Sequence, residues 1–537
     1  MNARREHYAT GSDISQEQFR ANLLDLSLMD LLPNAPSGSC REATPLDPLG
    51  VVIFGASGDL AARKLLPALY SLFLAGALPE RSFILGVSRT VLDDAAFRAR
   101  ALEGIAAAGL ETGRWDAFAP RLGYQPLGYD DPAGYIALGE RLVALEGAYG
   151  TGARRIYYLA LPPELHGTVA AGLGRAGLAH QEGGCGWRRL VVEKPFGRDL
   201  ASAQALGAAV GAWFPERQIF RIDHYMTKET VQNILVLRFA NAIFEPLWNR
   251  MYIDHVRINA SESLGVGHRA GYFEGTGVLR DMFQNHLMQL LSLVAMEPPS
   301  RFDAERVRSA QSEVFRALKP LEPGRIDRHL VLGQYGPGAA AGAPVPGYLE
   351  EAGIDPESTT PTYALLRVFV DNWRWQGVPF YLSSGKRLGR KLTRIDIQFK
   401  PVPHRTFPAD VRENLRPNRL IIGIQPEDDI FLMFQAKQPG PRLDLRTVGL
   451  QFDYRTPSDT PEPDAYAKAL LDVMAGEQML FWRQDSLEAC WAFYEPLLEA
   501  LDGCRHGLCD LHPYEAGSWG PRAAIDLLPA GSWPEKP

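Results

Sequence analysis

Gly50-Val51-Val52-Ile53-Phe54-Gly55-Ala56-Ser57-Gly58-Asp59-Leu60-Ala61 reads as a short buried strand running into a glycine turn. A helical run follows, with Leu65, Leu66, Leu69, Tyr70 and Phe73 at helical spacing. Strand, glycine turn and helix form the phosphate-binding unit of a Rossmann fold. The glycines let the backbone approach a pyrophosphate, which then sits on the free N–H groups of the helix N-terminus. The spacing is G-x-x-G-x-x-A rather than G-x-G-x-x-G. A plain tight turn is the competing reading.

The next segments extend that unit. Phe83-Ile84-Leu85-Gly86-Val87 reads as the second strand and ends in Ser88-Arg89. An acid there would hold the ribose 2′-hydroxyl of NAD, whereas an arginine suits the 2′-phosphate of NADP. Arg155-Ile156-Tyr157-Tyr158-Leu159-Ala160-Leu161 is a further buried strand, closed by Pro162-Pro163. Leu190-Val191-Val192 leads into Glu193-Lys194-Pro195-Phe196-Gly197. Functional residues in such sheets gather at the carboxyl ends of strands. The proline biases Lys194 toward an extended backbone.

A different chemistry begins at Arg221-Ile222-Asp223-His224-Tyr225-Met226-Thr227-Lys228-Glu229. An acid, an imidazole, a phenol and an ammonium stand together before an apolar helical stripe of Val231, Ile234, Leu235, Leu237 and Phe239. Such a group at a helix start can hold a phosphate. Thr227 is the expected N-cap, which puts Lys228 in the first turn, where the helix dipole disfavours a cation unless an anion binds beside it. Residues 253–262 alternate like a strand ending at Glu262. Gly277 to His286 opens a second helix, on which Asp281 and His286, five apart, should not share one α-helical stripe. Residues 336–347 read as a loop. Strands are expected at 363–370, 394–399, 419–424 and 446–453, without intervening helices, which implies a mostly antiparallel sheet. Gly385-Lys386-Arg387-Leu388-Gly389-Arg390-Lys391 is a basic loop between two of these strands, a second candidate phosphate clamp.

At 537 residues the chain is too long for one core, so two large domains are expected. The fold class is an α/β Rossmann domain plus a C-terminal β+α domain with a large, mostly antiparallel sheet. The expected divisions are 1–48 as an N-terminal extension, 49–222 for the dinucleotide and 223–537 for substrate. A net charge of −7 argues against a nucleic-acid partner. No apolar run reaches the roughly 18 residues of a membrane span. Cys40, Cys185, Cys490, Cys504 and Cys509 lack zinc spacing and read as reduced thiols, so no metal is expected. The first 48 residues lack the pattern of a signal peptide. Residues 15–32 suit an amphipathic helix and 33–48 a linker, a tail expected to be poorly ordered or docked on a partner subunit. The expected location is cytoplasmic.

In order along the chain, these blocks resemble the glucose-6-phosphate dehydrogenase family. The matching motifs are Gly-Ala-Ser-Gly-Asp-Leu-Ala at 55, Glu-Lys-Pro-Phe-Gly at 193, Arg-Ile-Asp-His-Tyr at 221, Val-Gln-Asn at 231, Leu-Arg-Phe-Ala-Asn at 237, and Arg-Asp with Gln-Asn-His between 280 and 286. Gly-Val-Pro-Phe at 377, Gly-Lys at 385 and Gly-Ser-Trp-Gly-Pro at 517 complete the set. Each motif is short; the ordered set is specific and spans the chain from about residue 50 to Pro521.

The resemblance implies oxidation of glucose 6-phosphate at C1 to the lactone, the first step of the oxidative pentose phosphate pathway, with NADP as hydride acceptor. It makes His286 the general base and Asp223 the carboxylate that orients it. A neutral imidazole backed by a carboxylate is a sound base near neutral pH. It gives His224, Tyr225 and Lys228 to the sugar phosphate, with Lys386 and Lys64 lining the site, Glu262 and Asp281 on sugar hydroxyls, and Gln425 nearby. Lys194 bridges substrate and cofactor. Gly55, Ala56, Ser57, Gly58, Asp59, Leu60, Arg89 and Tyr158 match cofactor contacts. The family also implies a homodimer or homotetramer paired through the large sheet.

Four departures stand out: Met226-Thr227 for the usual Leu-Gly, Ala62 for a common lysine, His268-Arg269-Ala270-Gly271 for Arg-Gly-Gly, and a basic loop one residue shorter. Gly423 stands where animal members carry an arginine for a second, structural NADP, so that site is expected to be missing. Two rival readings remain. A dehydrogenase of other hexoses is disfavoured by the intact His-Tyr-x-x-Lys cluster. A non-catalytic NADP-binding regulator is disfavoured by the retention of Asp223, His286 and Lys194.

Overall fold

Every residue of β1 (Leu49–Phe54) is buried, which a strand can be only when elements cover both its faces. The computed structural model describes residues 46–529 apart from 182–185, 341, 405, 409–410, 412–414, 454–463 and 504–509. The tail helix at 15–32, most of the linker at 33–48, and Cys40, Cys185, Cys504 and Cys509 lie outside the described residues. β1 is joined by β2 (Ser82–Ser88), β3 (Leu122–Pro126), β4 (Arg155–Leu159), β5 (Arg188–Val192) and β6 (Ile219–Arg221). All pairings are parallel, in the order β3-β2-β1-β4-β5-β6. That order reverses between β1 and β4, which opens a crevice outside the carboxyl ends of the strands.

Gly55 makes the turn out of β1 with φ +82°, and a Cβ there would meet Ala160 O at 2.1 Å. No other residue fits that contact in that conformation. Ala61 takes the third small position of the motif and is buried, and Ala62 follows it. Helix Asp94–Ala107 crosses so close to it that a Cβ on Gly104 would stand 2.3 Å from Ala62 O.

The second sheet comprises β7 (Ile253–Ser261), β8 (Leu330–Gly336), β11 (Tyr363–Phe369), β12 (Pro379–Gly385), β13 (Leu392–Phe399), β14 (Arg419–Gln425), β15 (Asp429–Lys437), β16 (Leu445–Asp453) and β17 (Leu511–Glu515). Its order is β16-β15-β14-β13-β7-β12-β11-β8-β17. β7–β12 and β8–β17 are parallel and the other pairings antiparallel, so the sheet is mostly antiparallel, as expected. The stretch 336–347, expected to be a loop, contains a hairpin of β9 (Gly338–Ala340) and β10 (Ala343–Val345). Gly342, at φ +80°, supplies the tight turn that composition alone did not separate from a longer loop.

Two helical details differ from expectation. Helix Glu229–Phe239 takes Lys228 as its N-cap, with extended φ/ψ of −76°/136° and no side-chain cap bond. Thr227 instead turns its hydroxyl to His224 O at 2.9 Å, so it braces the loop rather than the helix. The second helix starts earlier, at Ala270, and is kinked by Gly277 (φ 63°, ψ 172°). Beyond the kink, Leu279–Leu287 is wound as a wide π-helix before α-helix Met288–Ala295 resumes. The last helices return to the first sheet. Helix Ala465–Ala475 packs on Leu66–Leu74, and Gln484–Gly503 packs on Leu200–Gly211.

Candidate active site

The strand ends aim the chemistry into one crevice. Gly55 follows β1, Arg89 follows β2, Lys194 follows β5 and Asp223 follows β6. From the other sheet, β7 and β12 run parallel, so Glu262 and Lys386 leave from the same edge. Antiparallel β13 and β14 bring Thr393 and Gln425 opposite each other at that edge.

At the centre, His286 Nδ1 lies 2.5 Å from Asp223 Oδ1, with side chains 1% and 0% exposed. The hydrogen-bond network assigns Nδ1–H as donor to the carboxylate and leaves the Nε2 lone pair inward. Lys194 Nζ donates to that Nε2 at 2.9 Å and pairs with Asp281 Oδ1 at 3.3 Å. The wide helix explains why Asp281 and His286 meet there. Bonded i→i+5, it turns residues five apart much nearer to one face than α-helical spacing does. Tyr225 stacks on the His286 ring at 4.1 Å, and His224 meets its edge at 4.8 Å.

Burial alone would raise the Asp223 carboxyl, but His286 beside it, its hydrogen bond, His224 and the Tyr225 N–H hold it down at about 2. The His286 imidazole is pushed down by burial and by Lys194, against the pull of Asp223. It is therefore neutral near pH 7. Burial also opposes the charge on Lys194, yet Asp281 and the other acids raise it, so the lysine stays cationic. His224 is driven down to about 3, by burial, then His286, with Lys194 and Lys228 adding to it.

Away from the dyad a polar chain runs across the sheet edge. Lys228 Nζ donates to Gln425 Oε1 at 2.6 Å, Gln425 Nε2 donates to Thr393 Oγ1 at 3.1 Å, and Thr393 bonds the Tyr225 phenol. Lys386 Nζ pairs with Glu262 Oε2 at 2.5 Å and lies 5.0 Å over the Phe273 ring. Glu262, Arg269, Tyr272, Phe273, Asp281 and Lys386 line a cavity of about 340 Å³, the size of a small polar ligand site. Arg390, at the far end of the basic loop, turns away to Glu427 at 3.0 Å.

On the dinucleotide side, Arg89 is exposed and stands 5.7 Å over the Tyr129 ring. Ser57 in the glycine turn bonds Thr90 at 3.0 Å and Ser88 at 2.9 Å, and Arg100 donates to Ser57 O at 2.9 Å. Two arginines thus flank the turn, of which the sequence pointed to one. Tyr158 is fully buried, with its OH 2.5 Å from Glu193 Oε1. Burial lifts Glu193 to about 7, against the Tyr158 bond and Lys194.

Lys64 is not joined to the His286 cluster by any described contact; it is half exposed and 3.9 Å from Asp464. Thr393, Tyr272 and Arg100 gave no signal in the sequence, and Arg269 stood out there only within the altered turn at 268–271, because each becomes a site neighbour only through sheet register or helix packing. A Cβ on Gly423 would strike the backbone Glu427 O at 2.7 Å, so this glycine is needed by the turn below it. Asp223, His224 and His286 offer ligand atoms within 4.8 Å of one another, a metal-like spacing. His286 Nδ1 and Asp223 Oδ1 already satisfy each other, so the group reads as an acid–base pair. Among the described residues, no helix is long and apolar enough to cross a membrane.

Comparison with known proteins fits this geometry. The family model "Glucose-6-phosphate dehydrogenase, NAD binding domain" matches residues 52–233, and "Glucose-6-phosphate dehydrogenase, C-terminal domain" matches 235–533. The chain is 46% identical over 480 residues to the glucose-6-phosphate 1-dehydrogenase of Aggregatibacter actinomycetemcomitans, covering 89% of this chain and 95% of that one. It is also 46% identical over 494 residues to that of Mycolicibacterium smegmatis, covering 91% and 97%. A solved glucose-6-phosphate dehydrogenase in complex with its substrate glucose 6-phosphate superposes with a TM-score of 0.82 at 33% identity, covering 90% of this chain and 98% of that one. The Mycobacterium avium glucose-6-phosphate 1-dehydrogenase superposes at 0.78 with 34% identity, covering 92% and 99%. With both halves matched along nearly their whole length, this chain belongs to the glucose-6-phosphate dehydrogenase family and is an oxidoreductase with a nicotinamide-dinucleotide domain.

Proposed function

We propose that this protein oxidises D-glucose 6-phosphate at C1 to 6-phospho-D-glucono-1,5-lactone with NADP as acceptor, and that His286 is the base. The observation that carries this reading is the buried His286–Asp223 pair, 2.5 Å long, whose other nitrogen accepts from Lys194, itself paired with Asp281 in the wall of the cavity. His224, Tyr225 and Lys228 hold the sugar phosphate, and Gln425 steadies the Lys228 ammonium. Glu262, Asp281 and Lys386 receive the sugar hydroxyls. As the C1 hydroxyl enters it displaces Lys194 from His286 Nε2, and the lysine shifts to an oxygen of substrate or cofactor. Nε2 then takes the hydroxyl proton, and Asp223 stabilises the imidazolium.

The cofactor side fits a phosphorylated dinucleotide. Gly55 keeps open a cradle that a Cβ would fill, the turn from Gly55 to Leu60 lies against a pyrophosphate at the start of the helix, and Arg89 suits a 2′-phosphate. Tyr158, fully buried, reaches the cofactor side through its bond to Glu193 at the end of β5. When bound, the nicotinamide accepts the hydride that leaves C1.

Residues 49–222 serve the dinucleotide and 223–537 the substrate and subunit pairing. The large sheet pairs copies into a homodimer or homotetramer, and the enzyme works in the cytoplasm. The direct test is NADP and NAD reduction, followed by absorbance, with glucose 6-phosphate and with glucose. Activity confined to the phosphorylated sugar and faster with NADP is expected; equal rates on glucose would refute the phosphate clamp. His286→Asn should keep substrate binding and lose about 10²–10⁴ in turnover. Light scattering should return a multiple of the chain mass.

A further inference from the structure

The two halves of the dyad sit on elements that need outside support. Asp223 follows β6, an edge strand of only three residues. His286 stands in a π-wound segment, where backbone bonding is weaker than in an α-helix. One residue of the C-terminal segment touches both. The Trp482 N–H donates to Arg221 O at 3.3 Å, and the Arg221 guanidinium reaches Trp482 O at 3.3 Å, so the two form an antiparallel bridge along the open edge of β6. Gln478 reinforces it, donating to Ile219 O at 2.8 Å. The indole N–H of the same Trp482 donates to Asn285 Oδ1 at 2.9 Å, one residue before His286. The indole is 1% exposed and stacks on Phe315 at 5.4 Å.

We propose that Trp482 is a positioning residue that locks Asp223 and His286 into register, its backbone holding the strand of the carboxylate and its indole N–H holding the helix of the base. The inference rests on the reading of His286 as base. Among the described residues, no hydrogen bond, ion pair or ring contact joins Trp482 to Lys194, Lys228, Lys386 or the glycine turn; its reach toward the site runs through Arg221 and Asn285. A 2.5 Å bond between buried groups tolerates little displacement. An error of 1 Å in a catalytic group costs about a hundredfold.

Trp482→Phe keeps a ring on Phe315 and deletes the N–H. Its kcat should fall about tenfold, with KM for glucose 6-phosphate within about twofold. The acid limb of kcat/KM should move to lower pH, because a slackened bond gives the imidazolium less support from Asp223. Asn285→Leu, made separately in case the first variant folds poorly, should show the same split and the same limb shift. The double variant should be no slower than either single one. An unmoved acid limb, equal losses in kcat and thermal midpoint, or additive losses in the double variant would overturn the proposal. His286→Asn separates the two claims. Near-normal turnover in that variant removes the base itself, whereas its loss alongside a wild-type Trp482→Phe removes only the role of Trp482.

Discussion

Asp223→Asn tests the core of the proposed chemistry with a change of one atom. The carboxylate and imidazole are 2.5 Å apart and almost wholly excluded from water. For charge centres about 4 Å apart at an effective dielectric of about 20, full ion pairing is worth about 4 kcal/mol. If roughly half that charge has developed when C1 is oxidised, the carboxylate contributes about 2 kcal/mol, or about thirtyfold in rate. The amide does further harm. Its NH₂ can donate to Nδ1, which drives the proton to Nε2 and blocks the lone pair that must accept from substrate. The same exchange in a serine protease triad costs about 10⁴. The expected loss in kcat is therefore on the order of 10²–10⁴, with binding of glucose 6-phosphate nearly unchanged. The pH profile gives a second readout. Asp223 raises the His286 pKa against burial, so its removal lowers that pKa and shifts the acid limb of residual activity to lower pH. Steady-state NADPH formation across pH, with substrate affinity by calorimetry, measures both. A variant within tenfold of wild type, with its acid limb unmoved, would refute the dyad.

Three further predictions address other parts of the molecule. Lys228→Ala removes a charged donor from the phosphate clamp and should raise KM for glucose 6-phosphate about 10- to 100-fold, with kcat changed far less; an unchanged KM would dismiss the clamp. Arg89→Ala should raise KM for NADP by at least about tenfold while leaving that for NAD within about twofold, because only NADP carries the 2′-phosphate; parallel changes for both cofactors would exclude this role. Asp472→Asn concerns stability: burial, with Glu477 and Glu229, raises this carboxyl from 3.8 to about 7. Ionising it costs the folded state, a penalty absent below pH 3.8 and complete above about pH 7. The variant should thus be stabilised by on the order of 1–2 kcal/mol at about pH 8 and hardly at all at pH 4, and a gain independent of pH in thermal melts would refute the assignment.

The dinucleotide sheet was partly legible because its signals are local. β1, β2, β4 and β5 are apolar runs closed by Gly, Arg, Pro or Lys, and their positions agree with the sequence reading to within about two residues. β3 and β6 were not. Leu122-Gly123-Tyr124-Gln125-Pro126 contains a glycine and a proline, and β6 is three residues long. Both exist because neighbouring strands and, at β6, Trp482 give their backbones partners. In the second sheet β8, β12, β15 and β17 escaped notice for a similar reason: their pattern makes sense only against the strands they pair with. At the site, the α-helical period separated Asp281 from His286, and the π-wound backbone reunited them.

What the sequence determined by itself was the set of chemical groups and their local backbone. Gly55 must be glycine at its turn, Lys194 is stiffened by its proline, and Asp223, His224, Tyr225 and Lys228 arrive together in eight consecutive positions from Arg221. Tertiary structure alone decided which groups meet. The dyad closes across 63 residues, Lys228 reaches Gln425 across 197, and Trp482 reaches Asn285 across another 197. Such contacts depend on sheet register, helix winding and the return of the C-terminal segment, and all three are set by burial of a shared core. Local propensity carries no information about distant partners, so His286 and Asp223 are visible in the chain only as separate residues.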